Sequence, residues 1–177
     1  MHMPTNTPDP SLIPANERER LAALARYEQV ATTGNGAFNH VAEMAVRMFD
    51  VPIALVNLVG AEVVRTIAGK GGIEEDTEMV RGISLCSLAI LSDEPTVFRD
   101  ALQEPCLLTN PLVTGNYGLG FYAAAPLRTK DGYNIGAVCL VDKKPRAFSA
   151  GEQKVLEGLA QIVMEEMESR FVSRLKA

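Results

Sequence analysis

Two strands joined by a tight turn are legible in GFYAAAPLRTKDGYNIGAVCLVD, Gly120 to Asp142, with Lys130-Asp131-Gly132 as the turn. A long hairpin commits the chain to an antiparallel sheet, because adjacent antiparallel strands are what a tight turn can join. The first strand nevertheless carries three consecutive alanines, which fill little space where a packed sheet favours Val or Ile. Upstream, VPIALVNLVG from Val51 is apolar on both alternating faces, the pattern of a strand covered on both sides, with Asn57 the single polar interruption. Gly60-Ala61-Glu62 turns the chain, and VVRTIAGK, Val63 to Lys70, returns as a second strand.

Helical periodicity flanks these strands. Asn16 followed by Glu19 resembles a capping box and opens a helix through about Gln29, with Leu21 and Leu24 on a narrow apolar edge. Phe38, Ala42, Ala45 and Phe49 recur at helical spacing opposite Asn39, Glu43, Arg47 and Asp50, so an amphipathic helix is laid on something apolar. KGGIEEDTE reads as a loop, ISLCSLAILS from Ile83 as a short helix and TVFRD from Thr96 as a strand. Residues 101–119 are broken by Pro105, Pro111, Gly115 and Gly118 into loop with at most a turn or two of helix. Ser149 to Glu152 form a second capping box, which starts a helix running to about Arg174 with Val155, Leu159, Ile162, Val163, Met167, Phe171 and Leu175 at spacings of three and four. That helix is longer than one small sheet can cover, and its far end is expected to pair with a partner chain.

Composition narrows the function. The 177 residues carry a formal net charge of −5, with no run of Lys or Arg, which argues against a groove that tracks phosphates. No apolar run approaches the roughly 18–20 residues needed to span a bilayer, and MHMPTNTPDPSLIP lacks the basic start and apolar core of a signal peptide. A cytoplasmic setting is expected, with residues 1–15 a disordered tail and residues 16–177 a single domain. Cys86, Cys106 and Cys139 are an odd count without metal-site spacing, and the two histidines are His2 and His40. GKGG at Gly69 to Gly72 is not a phosphate-binding loop, since no Ser or Thr follows Lys70 and position 64 is Val.

FDVPIALVNLV from Phe49, SLCSLAIL from Ser84, DEPTVFRDALQEP from Asp93, NPLVTG from Asn110, FYAAAPLRTKDGYNIGAVCLVD from Phe121 and FSAGEQKVLEGLAQIV from Phe148 follow one another over about residues 17–170. In this order they resemble the GAF domain, a small-molecule sensing module of bacterial signalling proteins that is often placed before histidine kinase or diguanylate cyclase domains. The resemblance implies an α+β fold: a central antiparallel sheet, the N- and C-terminal helices on one face, and pocket-forming loops on the other. It further implies a non-catalytic sensor that dimerises through its terminal helices and signals to an output domain or kinase partner, with neither nucleic acid nor membrane as a partner. Nothing resembling such an output follows in this sequence, so the chain is read as an excised piece or as a protein acting through a partner.

The candidate ligand contacts follow from the same reading. Asn57 must find partners inside an apolar strand, as a ligand contact or as a bridge to a loop. Arg99 and Asp100, beside a strand like Arg65, carry groups that fix polar ligands. Tyr117, within the glycine-flanked GNYGLG, is the candidate lid residue. Phe121 and Ala123 point to one side of their strand with Ala125, while Tyr122, Ala124 and Pro126 point to the other. Which set faces the pocket is open, as is whether the alanines provide pocket volume or close helix packing. Cys86 and Cys139 complete the set.

The ligand itself stays unidentified. Bilin-binding members carry a Cys-His pair, whereas Ser87 follows Cys86 and Leu107 follows Cys106. Haem-binding members need an axial histidine over the pocket, whereas His40 falls on a helix of the opposite layer. Metal is unsupported, as is the Asn-Lys-Phe-Asp-Glu pattern of cyclic-nucleotide members. The alternatives are a thiol enzyme resembling the free methionine-(R)-sulfoxide reductases, with Cys86 and Cys106 as its cysteines, and a ligand-free dimerisation module.

Overall fold

The computed structural model describes residues 9–32, 36, 38–73 and 75–177. Five α-helices and six strands follow one another along them: α1 (Glu17–Thr32), α2 (Asn39–Phe49), β1 (Ile53–Val59), β2 (Val63–Lys70), β3 (Glu78–Val80), α3 (Cys86–Ala89), β4 (Thr96–Phe98), α4 (Pro111–Thr114), β5 (Phe121–Arg128), β6 (Asn134–Asp142) and α5 (Ala150–Leu175). The strands form one antiparallel sheet in the order β3-β2-β1-β6-β5-β4. The α+β architecture is the one expected from the sequence.

The hairpin forms around Gly132, whose N–H donates to the Thr129 carbonyl at 3.0 Å and whose φ of 92° suits a residue without a Cβ. Pro126 lies just past the last pairing of β5 with β4, Thr96 opposite Ala124, where β5 has become an edge strand and a missing N–H is tolerated. Gly136 is required by close approach: a Cβ there would lie 2.0 Å from the Asn57 carbonyl oxygen of β1.

Two apolar layers share the sheet. On one face Ala54, Val56 and Leu58 of β1 and Phe121, Ala123, Ala125 and Leu127 of β5 pack against α1, α2 and α5. Phe38, Ala42, Ala45 and Phe49 are all buried there, as the amphipathic spacing predicts. α2 and α5 run antiparallel, since the Phe49 ring lies 5.5 Å from Phe148 ahead of α5 while Arg170 near its far end sits 4.9 Å from the Phe38 ring. The other face of the sheet, with Leu55 and Val59 of β1, Tyr122 and Ala124 of β5 and Cys139 and Val141 of β6, is covered by α3 and the crossover segments around Leu107, Val113 and Leu119.

One open question is decided and two expectations are corrected. Ala123 and Ala125 face the helix layer, so two of the three alanines serve close helix packing and only Ala124 lies on the loop-covered face. β3 begins at the last residue of the stretch read as loop and runs past it, held by Val63 opposite Val80 and by an Arg65–Glu78 ion pair at 2.9 Å; three residues are too few to show a period. Of the tail expected at 1–15, residues 1–8 lie outside the described residues, while Asp9 caps a 3-10 turn at Pro10–Leu12, so ordered chain begins ahead of Asn16.

α5 starts on its capping box: Ser149 Oγ accepts from the Glu152 N–H at 3.1 Å, and Glu152 Oε1 accepts from the Ser149 N–H at 3.1 Å. Its buried face is Leu156, Leu159, Ala160, Val163, Met164 and Met167. Val155, Ile162 and Leu175, expected on the same stripe, are exposed instead. Val155 and Ile162 form a second apolar edge, with Leu175 on another side of the helix end, and α2 exposes Met44 and Met48 one and two turns on from His40, which shares a groove with Ile162.

Candidate functional site

Between the loop-covered face of the sheet and the crossover lies a cavity of about 200 Å³. Its floor is Ile53, Leu55 and Asn57 of β1, Cys139 and Val141 of β6 and Tyr122 of β5; its walls and mouth are Ser84, Leu85, Cys86, Ile73, Met79, Leu112, Tyr117 and Leu119. The lining is mostly apolar, and a small polar cluster converges in its depth.

That cluster is built on a strand irregularity. The β1–β2 register shifts between Val56 and Asn57, bringing Asn57 opposite Thr66. Thr66 Oγ1 donates to Asn57 Oδ1 at 2.8 Å, which fixes the amide so that its NH₂ faces the other way. Asn57 Nδ2 then donates to Cys86 Sγ at 3.3 Å and to Cys139 Sγ at 3.9 Å, while the Tyr122 hydroxyl donates to Cys86 Sγ at 3.1 Å. Cys86 is presented by α3, a single turn whose preceding Ser84 Oγ accepts from the Cys86 N–H at 3.3 Å.

Electrostatics within the cluster follow from these bonds. The Cys86 thiol is held below its ordinary value by hydrogen bonds from Cys139, Tyr122, Asn57 and Ser84, which outweigh burial. The Cys139 thiol is pushed up by sharing its proton with Cys86 and by burial, so the pair gives up its first proton readily and its second with difficulty. Burial raises the Tyr122 hydroxyl far above its ordinary value, keeping it a donor. At the mouth, Tyr117 is raised by burial and then by Asp142, and Lys143 Nζ lies 5.1 Å from its ring centroid.

Asn57, Cys86, Cys139 and Tyr117 are therefore brought together, and Asn57 is both bridge and lining residue. The other four sequence candidates lie elsewhere. Phe121 packs in the helix layer 5.6 Å from the Phe148 ring with the Arg146 guanidinium 5.5 Å from its centroid, and Ala123 is buried beside it. Strand alternation allowed either face, and the helix layer took this one. Arg99 donates to the Phe148 carbonyl at 2.7 Å and Asp100 accepts from the Leu102 N–H at 3.2 Å; both stabilise backbone turns outside the cavity. The sequence reading passed over Thr66 and Ser84 and left Tyr122 on a strand face it did not assign to the pocket. Tyr122 had a legible signal, a polar tip inside an apolar run, whereas Thr66 sits beside Arg65 in a strand of mixed character.

Cys106 is exposed and lines a separate surface groove with Asp9, Leu88 and Asn110. His40 lies on α2 beside Ile162 and Glu166, in the helix layer. Among the described residues no group of three or more His, Cys, Asp or Glu is placed to hold a metal ion. No helix among them is long and apolar enough to cross a membrane.

Behind the cavity an ion network joins the crossover to α1. Arg81, between β3 and α3, pairs with Glu17 at the start of α1 and donates to the carbonyls of Gly60 at 3.1 Å and Leu12 at 3.2 Å. Arg20 chelates the same carboxylate at 2.8 and 2.9 Å and donates to the Val59 carbonyl at 2.8 Å. Both arginines are buried. The Ser87 hydroxyl, one residue past Cys86, donates to the Arg81 carbonyl, so the cavity wall and the α1 anchor share an arginine.

Comparison with known proteins agrees with this architecture. The chain is 30% identical over 152 residues to a cyclic di-GMP phosphodiesterase of Pseudomonas aeruginosa, covering 85% of this chain and 26% of that protein, so it spans about a quarter of that relative's length. Among solved structures it resembles a type II free methionine-R-sulfoxide reductase from Thermoplasma acidophilum (TM-score 0.63, 18% identity, 82% of this chain and 97% of the other). It also resembles the GAF-B domain of DevS from Mycobacterium smegmatis (TM-score 0.59, 19% identity, 79% and 96%). At such identities these likenesses are of fold. The family model for the GAF domain matches residues 35–167, from the start of α2 to the last fully buried turn of α5, and the chain belongs to that family.

Proposed function

We propose that this domain is a small-molecule-binding regulatory module of bacterial signal transduction, non-catalytic and acting within the cytoplasm through its terminal helices. The observation that carries the reading is the cavity of about 200 Å³, apolar in its walls with a few buried polar groups converging in its depth. Ordinary ligand pockets measure roughly 300–1,000 Å³, so the guest is either small or admitted by movement of the segment that carries Tyr117. Supporting a regulatory role, the P. aeruginosa relative matches over only 26% of its length, as expected if the matched part modulates an activity held elsewhere in that protein.

Signalling in this reading is a population shift. A guest pressing on Leu85 and Cys86 displaces Ser87 and Arg81, and Arg81 carries the displacement to Glu17 and α1. The exposed edge of Val155 and Ile162 with Met44 and Met48 supplies the surface on which two copies pair. Reduction of free methionine sulfoxide by Cys86 and Cys106 is a weaker reading, because one thiol lines the cavity and the other a separate surface groove. Native mass spectrometry of the purified protein, repeated after denaturation, tests the proposal. Extra mass lost on denaturation, or a rise in Tm with a small apolar compound in a thermal-shift screen, supports it. A bare protein that no compound in the screen stabilises overturns it.

A further inference from the structure

Two buried thiols beside a single amide donor are not explained by packing. A structural cysteine behaves as a small hydrophobe in apolar surroundings, where burial raises its pKa and makes it inert. Here Asn57 Nδ2 reaches Cys86 Sγ at 3.3 Å and Cys139 Sγ at 3.9 Å, and the Tyr122 hydroxyl reaches Cys86 Sγ at 3.1 Å. The amide is locked in that orientation by Thr66, so its NH₂ cannot rotate away from the sulfurs. Both sulfurs line the cavity and both cysteines are free.

We propose that Cys86 and Cys139 form a redox-active dithiol whose oxidant is a small uncharged hydroperoxide admitted to the cavity. The assignment rests on the reading of this cavity as a site open to small guests, and it names the chemistry that such a guest would bring. The polar groups around Cys86 Sγ are donors, so they stabilise a thiolate without a cation, and the apolar walls favour a neutral oxidant over a charged one. Direction of titration agrees, with the Cys86 thiol lowered and the Cys139 thiol raised: Cys86 attacks and Cys139 resolves.

The Cys86 thiolate attacks the terminal oxygen of ROOH; an S–O bond forms, the O–O bond breaks, and the alkoxide leaves and takes up a proton as ROH. Cys86 is now a sulfenic acid, oxidised by two electrons. Cys139 loses its proton and attacks Cys86 Sγ; the S–S bond forms and hydroxide leaves, taking up that proton as water. The disulfide ties α3 to β6, one residue from Ser87, whose hydroxyl meets the Arg81 carbonyl. Oxidation thus acts on the same arginine as a bound guest.

The test uses the Cys106→Ser protein, which removes the exposed thiol, treated with cumene hydroperoxide or hydrogen peroxide. Alkylation in denaturant and peptide mass mapping follow. The expected result is loss of two hydrogens, a linked Cys86–Cys139 peptide that reducing agent releases, and faster oxidation by cumene hydroperoxide. In Cys139→Ser/Cys106→Ser, or Cys139→Ala/Cys106→Ser if the first does not fold, dimedone labels Cys86. Full alkylation of both thiols after oxidant, with oxidation of the wild-type protein confined to Cys106, overturns the dithiol. Thermal shift with phenol and indole separates the two readings. Stabilisation without a disulfide defeats the dithiol and leaves ligand binding standing; a disulfide in a protein that neither these probes nor any compound of the screen stabilises leaves the dithiol standing and defeats ligand sensing.

Discussion

Gly136 shows how much of this fold depends on a missing side chain. β6 lies between β1 and β5, and at Gly136 the backbone of β1 comes so near that an alanine Cβ would sit 2.0 Å from the Asn57 carbonyl oxygen. The neighbour is backbone in the middle of a paired sheet and cannot give way alone. Gly136→Ala is expected to destabilise the domain by about 3 kcal/mol, at the upper end of overpacking costs, read as a lower midpoint in urea denaturation with unchanged slope. Because that carbonyl belongs to Asn57, the same substitution should disturb the amide that faces the two thiols. Asn57 itself was legible as a polar residue inside an apolar strand that had to find partners. The identity of those partners was not, since Cys86 and Cys139 are brought to it by a crossover and by a neighbouring strand.

At the scale of elements, α1 is held by charge at its start and by apolar packing along its length. Ala23, Leu24, Tyr27, Val30 and Ala31 are buried, and Tyr27 donates to Glu168 of α5 at 2.6 Å, with its hydroxyl raised to about 12 by burial and then by Glu168. Burial alone would raise the Glu17 carboxyl, but hydrogen bonds from Arg20 and Arg81 outweigh it and hold the carboxyl below its ordinary value. The stability this contributes is fully present above the unfolded value of about 4.3 and is lost as pH falls through the lower folded value. Glu17→Gln leaves two buried guanidinium groups without their carboxylate, at an expected cost of about 3 kcal/mol near pH 7. Chemical denaturation from pH 7 to pH 3 should show a shallower loss of stability below pH 4.3 in the variant than in the wild type. Equal acid slopes would remove Glu17 from the network's role in anchoring α1.

At the scale of the whole molecule, α5 has two apolar edges and its own domain buries one of them. Leu156, Leu159, Val163 and Met167 turn inward, while Val155 and Ile162 stay exposed beside Met44 and Met48. If two copies pair on that edge, Ile162→Lys should convert a dimer to a monomer in sedimentation with Tm at low concentration nearly unchanged. A wild-type protein that sediments as a monomer at high concentration would exclude pairing there. The stripe read from the sequence merged these edges, since spacings of three and four fit either edge and only the position of the sheet divides them.

Local pattern by itself determined most of the architecture: a hairpin about Gly132, an opening pair of helices, a strand apolar on both faces and a long capped helix, in the order of the GAF family. These features are written in alternation, in helical spacing and in residues that stop one element and start the next, and they act over a few positions of chain. Tertiary structure decided which face of β5 belongs to the helices, and so removed Phe121 and Ala123 from the site and put Tyr122 into it. It also decided that Cys86 finds Cys139 and not Cys106. The period of a strand is two, so a sequence states that faces alternate without stating which is which; that choice is made by what packs on each side.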